Sequence, residues 1–390
     1  MTTATTTRVY RRVADLPDLG PLLRDAVLYE TPAWLAYCEA SAGGLLRHVA
    51  LEDGNGRTVA LASFRVVPDD DVLSLYDLSS FLADPTGPAP DTGALFPNAV
   101  AAVSGAHCVL LTDPDADART RSAQRGALTR AVVDQAAAEG CTAVGFLYLR
   151  EPGSVRSVAT ALGDEGSAPF LAAAHMELEG GWPDFEGYLA TLRSPRRNKI
   201  RRERRQFAEA GITTRVLSGT SALNETTARL QLALRRRYGA GGSVESIMAD
   251  YAHLRSTVEE HVRVFLCELE GRPVGLSLAL ADGDRLHVRL AGFDYEILGE
   301  DFAYFNAVYY EPILWGIANG VSRYSFGTGT YGAKLARGCV PVPTWGVVRW
   351  PAALRQAAAA ATAGRQSALC ADIGLDPAWP DTVLSCGGER

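Results

Sequence analysis

Thirteen residues, Arg193 to Arg205, read R-S-P-R-R-N-K-I-R-R-E-R-R, and eight of them are basic. The chain as a whole carries a formal charge of -7, so this cationic stretch stands against the general balance. Its local signals predict one helix. Ser194 is a good N-cap, Pro195 suits the first helical position, and Gly211 supplies a left-handed stop after Ala210. Helical spacing puts Arg197, Arg201 and Arg204 or Arg205 on one face, with Ile200, Glu203 and Phe207 on another. Arg196, Arg197 and Lys199 fall in or near the first turn, at the positive pole of the helix dipole. Cations are tolerable there if an anion sits on them, and amides plus guanidinium forks at a helix start suit a phosphate. The competing reading is a solvated arginine face that serves only solubility.

A chain of 390 residues predicts two domains or one large one. Hydrophobic residues at 47% and charged residues at 21% are ordinary for a soluble enzyme. The opening M-T-T-A-T-T-T-R-V-Y-R-R has no apolar core, so no secretory signal is expected. No apolar run is long enough to span a membrane. The seven cysteines are odd in number and lack C-x-x-C spacing, against a zinc site and against a disulfide scaffold. They read as small buried apolar residues in a reducing cytoplasm. His48, His107 and His175 have no partner at metal-ligand spacing, so no metal is expected.

Along the chain, short strands alternate with amphipathic helices. A helix is predicted at Trp34–Tyr37, then strands at Arg57–Val67, Val72–Asp77 and His107–Thr112. A helix over Ser122–Glu139 and a strand over Thr142–Leu149 follow. Asp77 reads as a turn aspartate or as a site carboxylate at a strand end. Trp182-Pro183-Asp184-Phe185 opens a second unit, with helices at Phe185–Leu192, Thr220–Tyr238 and Ser246–Glu260. Strands are predicted at Ile212–Leu217, Val262–Glu268, Pro273–Ala281 and Leu286–Phe293, with hairpin turns at Glu270-Gly271 and Asp282-Gly283-Asp284. Phe302–Asn319 reads as a helix, Ser322–Phe326 and Thr344–Trp350 as strands. The expected division is 1–180, 181–355, and a tail at 356–390 made of an Ala-rich helix and an irregular end. The halves share a plan of antiparallel strands, a helix and a further strand, as in a divergent duplication.

Phe326 to Lys334 reads F-G-T-G-T-Y-G-A-K, and Gly327, Gly329 and Gly332 match G-x-G-x-x-G literally. A dinucleotide site needs that pattern in the first turn of a βαβ unit. Here no long helix and parallel strand follow, because Pro341 and Pro343 interrupt. The loop instead reads as one that carries backbone amides, Lys334 and Arg337 towards a ligand, or as a tight turn with solvated charges. An ammonium at Lys334 could stabilise negative charge developing on a carbonyl oxygen. Tyr304, Tyr309 and Tyr310 lie on the preceding helix as core or pocket lining. Asp294, Glu296, Glu300 and Asp301 read as a solvated loop rather than paired catalytic carboxylates. No G-x-S-x-G elbow or activated cysteine points to nucleophilic catalysis.

The run R-R-N-K-I-R-R-E-R-R within Leu192–Gly211 resembles the basic helix of the peptidoglycan biosynthesis/recognition-like proteins related to the FemABX transferases. Phe302–Trp345, with Tyr309-Tyr310, a glycine loop and K-L-A-R-G-C-V-P-V-P-T-W, resembles a later block of the same family. The resemblance covers most of the second half. It implies an α/β (α+β) fold of tandem GNAT-like (acetyltransferase-fold) domains, each a mixed, mostly antiparallel sheet flanked by helices. It implies amide formation from a donor that is often aminoacyl-tRNA, and places the carbonyl-polarising role on Lys334. Asn306 stands where the family usually has glutamate, Tyr304 where it has histidine, and Gly332-Ala333 where it has a Glu-His pair. Neither half carries the acetyl-CoA signature Q/R-x-x-G-x-G/A; Arg121 to Ala127 comes nearest.

On this combined reading the catalytic candidates are Lys334, Asn306 and Tyr310. Arg196, Arg197, Lys199, Arg201 and Arg205 would bind donor phosphates. Tyr304, Tyr309, Tyr331, Arg337 and Asp77 would meet substrate. The expected reaction is aminoacyl transfer from tRNA to a small-molecule amine, with no cofactor and no metal. The alternatives are an acyl-CoA-dependent N-acyltransferase and a non-catalytic RNA- or phosphate-binding protein.

Overall fold

The structure is a computed structural model that describes residues 5–41, 45–69, 76–83, 91–163, 168–299 and 302–386. Its strands are β1 (Thr6–Tyr10), β2 (Leu46–Glu52), β3 (Thr58–Val67), β4 (Asn98–Ala101), β5 (Leu110–Thr112), β6 (Ala143–Leu149) and β7 (Phe170–Glu179). They continue as β8 (Ile212–Ser218), β9 (Val262–Leu269), β10 (Arg272–Asp282), β11 (Arg285–Phe293), β12 (Arg323–Ser325) and β13 (Val340–Arg349). The chain divides into two compact units, one of Met1–Ala174 with Pro343–Arg390 and one of His175–Val342. Residues 343–355 and the tail therefore belong to the first unit, which differs from the division at 180 and 355 expected from sequence.

In the first unit the strand order is β1-β2-β3-β4-β6-β13, with β5 on β3. β4 and β6 run parallel, while β1 with β2, β2 with β3, β3 with β4 and with β5, and β6 with β13 are antiparallel. Every residue of β2 and β6 is buried, so neither strand alternates apolar with polar positions as a half-exposed strand does. One face packs on the helices Ala118–Ala138 and Pro152–Leu162 through Leu128, Val132, Ala136, Val155 and Val158. The other meets Leu78, Phe81, Leu354 and Ala358. Polar residues forced into β2 are partnered: Arg47 pairs with Glu139 at 2.7 Å, and His48 Nδ1 lies 2.8 Å from Ser63 Oγ. The Ala-rich helix Arg355–Ile373 buries Ala358, Ala361 and Cys370, and Arg365 lies 4.7 Å over the Phe81 ring. The tail then forms a second helix, Trp379–Cys386, rather than an irregular end. Most of the expected strand at Val72–Asp77 lies outside the described residues. Asp77 itself accepts from Ser79 N at 2.8 Å and Ser79 Oγ at 2.6 Å, capping a short turn.

In the second unit the order runs from the end of β7 through β12, β11, β10 and β9 to β8. β11 and β12 are parallel and the rest antiparallel. The helix Glu225–Arg237, capped by Asn224, lies directly on β11: a Cβ at Gly292 would stand 2.4 Å from Gln231 N, so only glycine admits this approach. The predicted helix at 302–319 is interrupted. Ala303–Phe305 is α-helical, Asn306–Tyr310 is a π turn, and Glu311–Ala318 resumes the α-helix. The basic helix spans Ser194–Glu209, with Arg193 as N-cap and no side-chain cap bond, so it starts one residue before the predicted position. Gly211 stops it at φ 73°.

Candidate active site

The inner face of the basic helix is Ile200, Glu203 and Phe207, all buried. Glu203, the one acid in a cationic run, is completely excluded from solvent. Its Oε2 accepts from Arg337 Nη2 at 2.9 Å and from the Tyr310 hydroxyl. Arg337 also donates from Nε to Tyr310 Oη at 3.0 Å and from Nη1 to Ala333 O at 2.9 Å. Its guanidinium lies 3.7 Å over Phe305 and 5.0 Å from the Tyr309 centroid. A buried cation so enclosed is held by one carboxylate and a ring of aromatic faces. The Arg337 head is engaged by protein on all three nitrogens, as a fixed internal post.

The π turn is what brings Tyr309 and Tyr310 inward together, since an extra residue in the turn shifts the helix register. Asn306 is buried with them and donates from Nδ2 to Phe302 O at 2.9 Å and to Glu203 O at 3.4 Å. Burial pushes the Tyr309 and Tyr310 hydroxyls well up from the usual phenol range. Tyr310 is hydrogen-bonded to Glu203 and Arg337 inside this cluster. Tyr304 and Tyr331 are half-buried against the same core.

Lys334 sits on the short helix Tyr331–Leu335 and is 5% exposed. Its Nζ donates to Thr328 O at 2.9 Å and Gly327 O at 3.2 Å. Burial lowers its pKa to about 8, with the nearby Cys339 thiol acting in the opposite direction. The loop before it is conformationally special: Gly327, Gly329 and Thr330 are left-handed, at φ 67°, 72° and 48°. For threonine that backbone is strained, and such strain concentrates at functional loops. No atom lies within 4 Å of where a Cβ would stand on Gly327, Gly329 or Gly332. The loop is therefore open on that side, with a buried ammonium held by its carbonyls.

The outer face of the basic helix is solvent-facing. Arg201 pairs with Glu186 at 2.5 Å, Arg205 approaches Glu209 at 3.7 Å, and Arg204 stacks 4.5 Å over Phe185. Arg197, half-buried, donates to Leu192 O at 2.8 Å. Lys199 Nζ stands 4.0 Å from Glu203 Oε1, within ion-pair reach but too far for a hydrogen bond, and Oε1 has no hydrogen-bond partner. Exposed Arg193, Arg196 and Arg202 have no ion-pair partner among the described residues. Of the five expected phosphate ligands, then, Arg196 and Arg197 are free of carboxylates, Arg197 being held by a backbone carbonyl, and Arg193 and Arg202 are free of carboxylates as well. The exposed pair at Arg201 is weak enough for an anionic ligand to displace. Asp77 belongs to the other unit and caps its own turn.

The second of the two mixed α/β units thus holds a buried lysine on a glycine loop, joined through Arg337 and Glu203 to a cationic helix. The chain belongs to the FemAB-like family of peptidoglycan biosynthesis/recognition proteins, whose model matches residues 103–366. Among solved structures it is similar to FemX, at 12% identity and a TM-score of 0.56, covering 85% of this chain and 95% of that one. It is also similar to the C-terminal domain of a putative lysylphosphatidylglycerol synthetase from Agrobacterium fabrum, at 11% identity and a TM-score of 0.52, covering 87% and 93%. A tandem GNAT protein from the clavulanic acid biosynthesis pathway is more distant, at 13% identity and a TM-score of 0.47, covering 89% and 98%. No curated protein matches the chain in sequence. Among the described residues, no helix is long and apolar enough to cross a membrane.

Proposed function

We propose that this acyltransferase moves an aminoacyl group from aminoacyl-tRNA to the amine of a small-molecule acceptor, in natural-product or cell-wall precursor synthesis. The observation that carries the reading is the basic helix: it and its N-cap offer exposed, unpaired Arg193, Arg196 and Arg202, and its inner face is bonded to the segment that bears Lys334. Phosphates of the donor would lie on the outer arginines and draw Arg201 from Glu186. The acceptor amine attacks the ester carbonyl, a C–N bond forms, the ester C–O bond breaks, and the ribose oxygen leaves with a proton that the amine gives up. Lys334 as ammonium would stabilise the oxyanion between these steps. Because an aminoacyl ester is already reactive, positioning supplies most of the rate.

The test is incubation with charged tRNA pools and candidate amines, followed by mass spectrometry for a new amide. RNase sensitivity of the product supports the reading, and activity with acyl-CoA in the absence of tRNA overturns it. One observation favours that second reading. In the first unit a groove of about 530 Å³ is lined by Arg119, Arg130 and Arg156 over small residues that include Ser122, Ala123 and Gly126. It could take the phosphates of an acyl-CoA, and it covers the stretch that comes nearest to the acetyl-CoA signature.

A further inference from the structure

The least expected residue of the second unit is Glu203. A carboxylate with no exposure is an expensive component in a mostly cationic helix. Solubility does not require it, and Ile200 and Phe207 already anchor the helix. What it does is make contacts on three elements. Through Oε2 it holds Arg337 and Tyr310, and its backbone oxygen accepts from Asn306. Through Oε1 it faces Lys199, one turn earlier on the outward side of the same helix. Arg337 in turn grips the carbonyl of Ala333, the residue next to Lys334. A continuous path therefore runs from Lys199 through Glu203 and Arg337 to the Lys334 turn, every link of it inside one compact unit.

We propose that Glu203 is a positioning residue that couples occupancy of the basic helix by a donor's phosphates to the setting of Lys334. The coupling rests on the donor reading above. A phosphate that engages Lys199 withdraws it from Oε1, and the carboxylate then commits fully to Arg337. Arg337 tightens on Ala333 O and fixes the five-residue helix that carries Lys334. The orphaned state of Oε1 is what makes the device responsive: an acceptor satisfied on both oxygens would have nothing left to exchange.

The test uses the full chain and two readouts. The first is the rate at which an amine-directed acylating reagent labels Lys334, followed by peptide mass spectrometry, with and without uncharged tRNA as the probe. The wild type is expected to show a change of several-fold on tRNA addition. Glu203→Gln keeps the shape and the Tyr310 contact but drops the charge, and is expected to bind tRNA while leaving the labelling rate unmoved. Glu203→Asp, the conservative variant, should restore part of the response. The second readout is steady-state kinetics: Glu203→Gln should lower kcat by roughly tenfold with little change in donor KM, whereas Arg196→Ala should raise KM. Unaltered coupling in Glu203→Gln, or a loss confined to KM, overturns the proposal. The comparison is made only between proteins whose melting transitions show them folded at the assay temperature; Arg337→Lys, which keeps the ion pair but loses the Ala333 grip, gives an independent check and should also uncouple. If wild-type protein binds no tRNA, the donor reading fails; the labelling rates of Glu203→Gln and wild type then decide the link itself, which is overturned if they are equal.

Discussion

Lys334 is the residue to which the proposed chemistry assigns the oxyanion, and its burial makes a prediction with a sign. Its folded-state pKa is depressed to about 8 from 10.5. Below pH 8 the lysine is charged in both states, and the folded state carries the full desolvation penalty. Between 8 and 10.5 the unfolded chain binds more protons, so this group's contribution to stability rises with pH. Stability of the wild type relative to Lys334→Met should therefore improve as pH climbs through 8, read from denaturant midpoints across a pH series. Turnover that needs the ammonium should decline over the same range, and Lys334→Arg should hold whatever activity it retains to higher pH, because a guanidinium does not deprotonate there. Arg337 makes the second residue-scale prediction. Truncation to alanine leaves Glu203 buried and unpaired, at a cost of about 3–5 kcal/mol in unfolding free energy; calorimetry showing a loss below 1 kcal/mol would remove the internal-post role.

Among elements, the glycine loop is set by backbone conformation. Gly329 is left-handed with open space around it, so Gly329→Ala isolates conformational strain from steric clash and should destabilise the protein by about 1–2 kcal/mol. The basic helix makes an electrostatic prediction: Arg196→Ala and Arg202→Ala should each weaken tRNA binding and flatten its salt dependence by about one charge, measured by filter binding over a salt series. Sequence made this helix legible, because proline, stop glycine and the Ile200–Glu203–Phe207 stripe all agree, although Arg193 rather than Ser194 takes the N-cap position. The same stripe held the signal for Glu203, an acid at a buried helical spacing, although its partners lay more than a hundred residues away. The π turn was not legible: nothing local in N-A-V-Y-Y announces an added residue per turn, which tertiary burial of Tyr309 and Tyr310 imposes. Strands β1, β2, β4 and β7 also escaped notice. β2 buries both faces and does not alternate, β4 has four residues, and β7 opens F-L-A-A-A, a composition that also suits a helix.

At the scale of the molecule, the return of the chain to its first unit is the feature sequence order hides. Trp350, Leu354 and Ala358 complete a core begun by Val67 and Leu78. Truncation after Arg349 should therefore lower the melting temperature of the first unit rather than merely shorten a tail, and a thermal scan unchanged by that truncation would contradict the packing seen here. The two-unit plan and the family are shown by fold and sequence together, while the proposed donor rests on one helix. The account is tested most directly by supplying purified protein with aminoacyl-tRNA and a panel of amines, and following amide product by mass spectrometry with wild type and Arg196→Ala/Arg202→Ala side by side. It predicts an RNase-sensitive amide whose formation by the double variant needs a higher tRNA concentration. Equal activity of the two proteins, or product from acyl-CoA with no tRNA present, would contradict it.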